Sequence, residues 1–268
     1  AWQQVKKFRA GKGKDLPNWP DWCYLPIAAG VAIATQGDES LLYKVGLDYY
    51  LSPAVITAAA AWRVSQGVYR FDSDLYNTLI TQPLDGNLPC EVFQRLPEWC
   101  VYIETYGAKV GEIPIIGFWA HLEYDVNDGR SELRLVLMAE DGKNIPIPIH
   151  LGNWTLEEGI AKMQAEADRQ AKVIMPEFRF PKINYAKDIT PLVQLILYIS
   201  AENVDMLKKP IHPQKRVRMS GQVDVPCEVR TWDIGVRVGS AIRKYRNQEM
   251  QQYRIFPDST HSEPKPPQ

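Results

Sequence analysis

The chain has 268 residues, a net charge of −1, a hydrophobic share of 45% and a charged share of 24%. These are the proportions of an ordinary globular protein with enough chain to bury a substantial core. The longest apolar runs, residues 24–34 and 191–201, are too short for a membrane-spanning helix and read as core helices.

Taken in chain order, residues 1–20 bring Lys6, Lys7, Arg9, Lys12 and Lys14 ahead of the turn-rich run Leu16-Pro17-Asn18-Trp19-Pro20. They are expected to form a basic flexible arm. No basic segment followed by an apolar stretch and a cleavage site opens the chain, so secretion is not expected. A first residue of Ala rather than Met reads as part of a longer sequence. A compact helix is expected around 27–35. Ser52-Pro53 reads as a helix start, since Ser caps free amides and Pro suits the first helical position. That helix runs through Val55, Ile56, Ala59 and Trp62 to about Gln66, where Gly67 permits a break. A shorter helix after Asp72 places Leu75 and Leu79 on one face.

From Trp99 the periodicity changes to two. Val101 and Ile103 alternate with Tyr102 and Glu104. In the next strand Ile116, Phe118, Ala120, Leu122 and Tyr124 are assigned to one face; Ile115, Trp119, His121, Glu123 and Asp125 go to the other. Asp128-Gly129 and Asp141-Gly142 mark tight turns. Leu133, Leu135 and Leu137 alternate between them, and Pro146 and Pro148 confine the strand at 145–149 to a sheet edge. Thr155-Leu156-Glu157-Glu158 fits a capping box. Asp188-Ile189-Thr190-Pro191 opens a helix that is apolar nearly all round, hence buried. Residues 208–226 read as a long basic loop. A short strand near 228–232 and a final helix over about 236–250 follow. The expected fold is α+β: an antiparallel meander of about four strands, packed with helices from both the N- and C-terminal portions and with helices on one side of the sheet. The expected organisation is an arm at 1–20, one domain at 21–253 and a disordered proline-rich tail at 254–268.

No motif here carries catalysis. His121 and Glu123 share a strand face, yet no nucleophile or third ligand neighbours them, so they read as polar residues of a half-exposed face. The four histidines are isolated and the four cysteines form no Cys-x-x-Cys pair, so no metal or cofactor is expected and the thiols are expected free. Gly235-Val236-Arg237-Val238-Gly239 lacks the third glycine of a dinucleotide site and the Gly-Lys-Ser/Thr of a P-loop. The basic side chains Lys215, Arg216, Arg218, Arg243 and Lys244 are the candidate nucleic-acid contacts. An RNA-binding protein or ribonuclease of a mobile element is therefore the alternative reading. Acids outnumber bases nine to two between Asp72 and Asp125, an asymmetry that steers charged partners.

Particular residues say more. Leu96-Pro97-Glu98-Trp99-Cys100-Val101-Tyr102-Ile103 and Gly117-Phe118-Trp119-Ala120 resemble the central sheet signature of the second type V-A anti-CRISPR family. Ala61-Trp62-Arg63 with Gly67-Val68-Tyr69 lie before it. Ile234-Gly235, Gly239 and Arg243-Lys244-Tyr245 lie after it, in the family's order, so the resemblance spans roughly residues 41–250. It implies a CRISPR–Cas inhibitor from a phage, plasmid or other mobile genetic element, acting in the bacterial cytoplasm; since the residues show no catalytic constellation, no enzyme, no cofactor and no membrane association are expected. Its partner would be the N-terminal segment of the type V-A effector nuclease, nascent on the ribosome. The effector's messenger RNA is then lost, and the resemblance leaves open whether the protein cuts that RNA directly or a recruited host nuclease does. Matched positions expected to bind the partner are Arg63, Trp99, Tyr102, Trp119 and Tyr245. Members of that family can carry a further basic, aromatic-rich C-terminal portion.

Overall fold

The computed structural model describes residues 1–14, 18–38, 40–41, 47–85, 87–174, 185–201, 204 and 229–235. The expected basic loop at 208–226, final helix at 236–250 and tail at 254–268 lie outside them, as do Lys215, Arg216, Arg218, Arg243, Lys244 and Tyr245.

Residues 2–10, expected within a flexible arm, form helix α1 (Trp2–Ala10). It docks because Val5 is buried and the Arg9 guanidinium enters a ring of aromatics, 4.4 Å from the centroid of Tyr24 and 5.3 Å from that of Trp99. Helix α2 (Ile27–Ala34) falls where the apolar run predicts it. Helix α3 (Leu47–Ser65) corrects the expected start at Ser52: Pro53 sits inside it, at the loss of one ladder bond. The helix stops at Gln66, whose φ of 49° makes a left-handed terminus that glycine more often supplies. The helix thus breaks where Gly67 is expected to let it, and Gly67 itself starts an unexpected strand, β1 (Gly67–Phe71). Helix α4 (Ser73–Thr81) begins as read, with the Asp72 carboxylate accepting the amides of Asp74 and Leu75.

A 3₁₀ turn at Cys90–Arg95 leads into β2 (Cys100–Val110), β3 (Ile113–Tyr124), β4 (Ser131–Ala139) and β5 (Asn144–Leu151). Gly129 and Gly142 take positive φ at the two expected turns. Helix α5 (Leu156–Ile174) opens on the expected reciprocal cap: the Glu158 amide donates to Thr155 Oγ1 and the Thr155 amide to Glu158 Oε2. Helix α6 (Tyr185–Ser200) starts ahead of Asp188 with Pro191 inside it, and Ile189, Leu192, Val193, Leu195, Ile196 and Leu197 are buried as read. Strand β6 (Arg230–Ile234) comes last among the described elements.

Among the described residues the sheet has six strands in the order β5-β4-β3-β2-β1-β6. The expected meander is present as β2 to β5, all antiparallel, but β1 pairs in parallel with both β2 and β6, so the sheet is mixed. A bulge between Ile115 and Gly117 shifts the strand's parity. Ile115 therefore joins Phe118 in the core while Ile116 is 45% exposed, the reverse of the simple alternation. Helices cover both faces, not one. Helices α4, α5, α6 and the 3₁₀ turn pack on Val101, Ile103, Phe118, Leu133, Leu135, Leu137 and Ile149. On the other face α1, α2 and α3 pack with Trp99, Cys100, Tyr124 and Val136. Each fully buried leucine here contributes about 1.5–3 kcal/mol.

Candidate functional site

Among the described residues the second face of the sheet is sealed by helices at one end and left open at the other. At the sealed end Glu123 solves a local problem of α2, whose N-cap is Pro26 and offers no side-chain acceptor. Glu123 Oε1 accepts the Ile27 amide at 2.6 Å and the Tyr124 amide at 3.2 Å. Burial nonetheless pushes its carboxyl up to about 8, against the opposing pull of Arg134 and these amides. Burial also drives His121 down to about 3, helped by the Arg134 charge. His121 and Glu123 thus lie under the helix layer and not on the half-exposed face expected of them. Beside them Glu132 gathers Arg134 at 2.7 Å, Arg130 at 3.2 Å and His150 at 3.4 Å.

At the open end three aromatic rings meet. Trp62 from the end of α3, Tyr102 from β2 and Trp119 from β3 are each half-buried, with centroid separations of 6.5, 6.4 and 5.8 Å. The Trp62 indole N–H donates to the Gly67 carbonyl at 2.8 Å. The Tyr102 ring lies across Gly117, where a Cβ would stand 2.3 Å from the tyrosine oxygen; the glycine is what lets the ring lie down. Beyond the rings the sheet surface is polar. Arg70 of β1 donates to both carboxylate oxygens of Glu104 of β2, at 2.7 and 3.1 Å, and Thr231 and Asp233 of β6 are exposed.

A buried clasp holds β6 to this end. Glu98, fully buried, accepts the Tyr69 hydroxyl at 3.0 Å and pairs with Arg230 at 3.0 Å. Arg230 also donates to the Ser65 carbonyl, its Nε at 2.8 Å. A Cβ on Gly67 would meet Glu98 Oε2 at 2.7 Å and Trp232 Nε1 at 2.8 Å, so a glycine is required beside the clasp.

The structure brings Tyr102 and Trp119 together and separates them from the other described positions of the sequence reading. Trp99 is buried, donates to the Asp21 carbonyl at 3.0 Å and packs on Tyr24. Arg63 is exposed and stacks over Trp2 at 4.7 Å. Sequence reasoning missed Trp62 as a member of the ring cluster, although it stands next to Arg63 in a matched segment. It also missed Glu98 and Arg230, which lie 132 positions apart with no local pattern to link them. Among the described residues no group of three or more His, Cys, Asp or Glu side chains is placed to hold a metal ion, and no helix is long and apolar enough to cross a membrane. Cys23, Cys90 and Cys100 are free and buried.

Comparison with known proteins gives three findings. Residues 69–266 match the family described as AcrVA2-like, the anti-CRISPR type V subtype A2 family. The chain is 25% identical over 223 residues to Protein FinQ of Escherichia coli, covering 75% of this chain and 64% of the length of that protein. The crystal structure of AcrVA2 shares the fold, with a TM-score of 0.60 and 20% identity over 92% of this chain and 82% of that one.

Proposed function

The chain belongs to the AcrVA2-like family of type V-A anti-CRISPR proteins, and we propose that it recognises the N-terminal polypeptide segment of the type V-A effector nuclease during translation. Recognition lowers effector expression through loss of the effector's messenger RNA. The chain acts as an adaptor in the bacterial cytoplasm, where translating ribosomes present that segment. The observation that supports this reading is the half-exposed cluster of Trp62, Tyr102 and Trp119 at the uncovered end of the sheet. Rigid aromatic side chains at a surface are the anchors most often found where one polypeptide grips another.

The test is direct binding of the purified chain to a peptide copying the effector's N-terminus, beside a scrambled peptide and an RNA oligomer, at two salt concentrations. Saturable binding of the native peptide alone, with modest salt dependence, is the expected result. Binding of RNA alone, falling steeply with salt, would replace this reading with one centred on Lys215, Arg216, Arg218, Arg243 and Lys244.

A further inference from the structure

The two edges of the sheet are finished differently. β5 closes one edge, and its Pro146 and Pro148 stand opposite Val136 and Arg134 in an unbroken ladder. A proline keeps its place in such a ladder only where its nitrogen faces outward, so the outer side of β5 lacks two amide donors. The opposite edge is β6, Arg-Thr-Trp-Asp-Ile, which carries no proline. The Arg230 amide donates to Gln66 and the Ile234 carbonyl accepts from Asp72. In a parallel pair this phase turns the main-chain groups of residues 230, 232 and 234 toward β1, and those of Thr231 and Asp233 away from it. Among the described residues no strand pairs with that outer side.

The side chains beside the edge have a definite character. On the uncovered face Arg70 is engaged by both oxygens of Glu104. Asp233, an exposed acid, stands beside Arg70 in the register and makes no ion pair of its own among the described residues. On the other face the indole of Trp232 is half-buried. The clasp of Glu98 and Arg230 fixes β6 from the side of β1.

We propose that the outer edge of β6 seats an extended segment of the partner polypeptide as a seventh strand, read by a basic side chain opposite Asp233 alternating with an apolar one against Trp232. This rests on the peptide-recognition reading above and gives it a location. Thr231 and Asp233 supply the donors and acceptors that hold the guest backbone. The alternation of acid and indole across the strand sets the guest's register.

Thr231→Pro removes an outward donor without touching the ladder to β1, the device β5 already uses; Thr231→Val keeps the amide. The full-length chain and both variants are titrated with the effector's N-terminal peptide and with a model peptide alternating lysine and valine. Amide exchange at Thr231 and Asp233 is followed, and mass in solution is measured. The expected result is a loss of about tenfold or more for Thr231→Pro, since several main-chain bonds are lost together, and none for Thr231→Val. Asp233→Asn is expected to weaken binding less, and the two amides to be protected by peptide in the unchanged chain. Full effector-peptide binding by a folded Thr231→Pro variant overturns the edge inference and leaves the recognition reading standing. Binding of the lysine–valine peptide alone, sensitive to Thr231→Pro, keeps the edge and removes the effector. Binding of neither peptide overturns both, and a dimer that Thr231→Pro dissociates assigns the edge to a second copy. If Thr231→Pro does not fold, effector peptides N-methylated at alternate amides are titrated against the unchanged chain. Equal binding of both sets overturns the proposal, and loss in one set only supports it.

Discussion

On one face of the sheet Phe118, Leu133, Leu135, Leu137, Ile147 and Ile149 meet apolar side chains of α4, α5 and α6. On the other face the same strands place His121, Glu123, Glu132, Arg134 and His150 beneath or beside the helix layer. An apolar face tolerates sliding and repacking, because one methyl group contacts another much as the next would. A buried carboxyl does not, because it must find its donors or pay a desolvation penalty. The first face therefore supplies stability, while the second fixes where α2 and α3 lie and, among the described residues, where the sheet is left uncovered. The ring cluster and β6 occupy that uncovered end.

The comparison breaks most directly at the apolar face. Phe118→Ala, at a side chain with no exposure, is expected to lower unfolding free energy by about 3–5 kcal/mol in urea titrations. Glu98→Ala tests whether the uncovered end is held as firmly. It leaves the partly exposed Arg230 without its buried acid, and a loss of about 3 kcal/mol is expected, with faster amide exchange concentrated in β6.

Acidity separates the faces next. Glu123, with its folded value raised from 4.5 to about 8, favours folding fully below pH 4.5 and loses that contribution as pH rises toward 8. His121, lowered from 6.5 to about 3, acts in the opposite sense: its contribution is present above pH 6.5 and is lost as pH falls toward 3. Between pH 4.5 and 6.5 the two slopes oppose each other. Glu123→Gln keeps an acceptor for the Ile27 amide and is expected to move the stability optimum upward in pH. The slope it removes above pH 6.5 is about 1.4 kcal/mol per unit at most, checked by thermal melts across the range. A melt of Glu123→Gln that tracks the unchanged chain at every pH would remove Glu123 from this role. The smallest effect is expected at the solvent-facing pair: Arg70→Ala should leave the melting temperature unchanged within error, because both partners are screened by water.

Much of this fold was legible in the chain because its signals are local. The meander from Cys100 to Leu151, its two Asp-Gly turns, the Thr155–Glu158 cap and the buried helix carrying Leu192 and Ile196 each follow from residues within a few positions of one another. Proline was the misleading signal. Pro53 and Pro191 resemble helix starts, yet each sits inside a helix that begins at Leu47 or Tyr185. Strand β1 was not legible because Gly67, Val68 and Tyr69 are buried in succession, which erases the alternation that marks a strand. Of the candidate binding positions, the pairing of Tyr102 with Trp119 follows from strand register, and Trp62 joins them only through the docking of α3. Position along a strand says which face a residue takes but not what covers that face, and Trp99, one residue ahead of β2, is buried under Arg9 of α1 and Tyr24.

The hydrogen bond from Ile27 to Glu123 also has a bearing on time. A ribosome releases residue 27 well before residue 123, so α2 emerges with its first amide unanswered and must wait 96 positions for its acceptor. β1 waits longer still, because its outer partner begins at Arg230. The helix layer that is synthesised first is therefore expected to settle late, after the meander has closed beneath it.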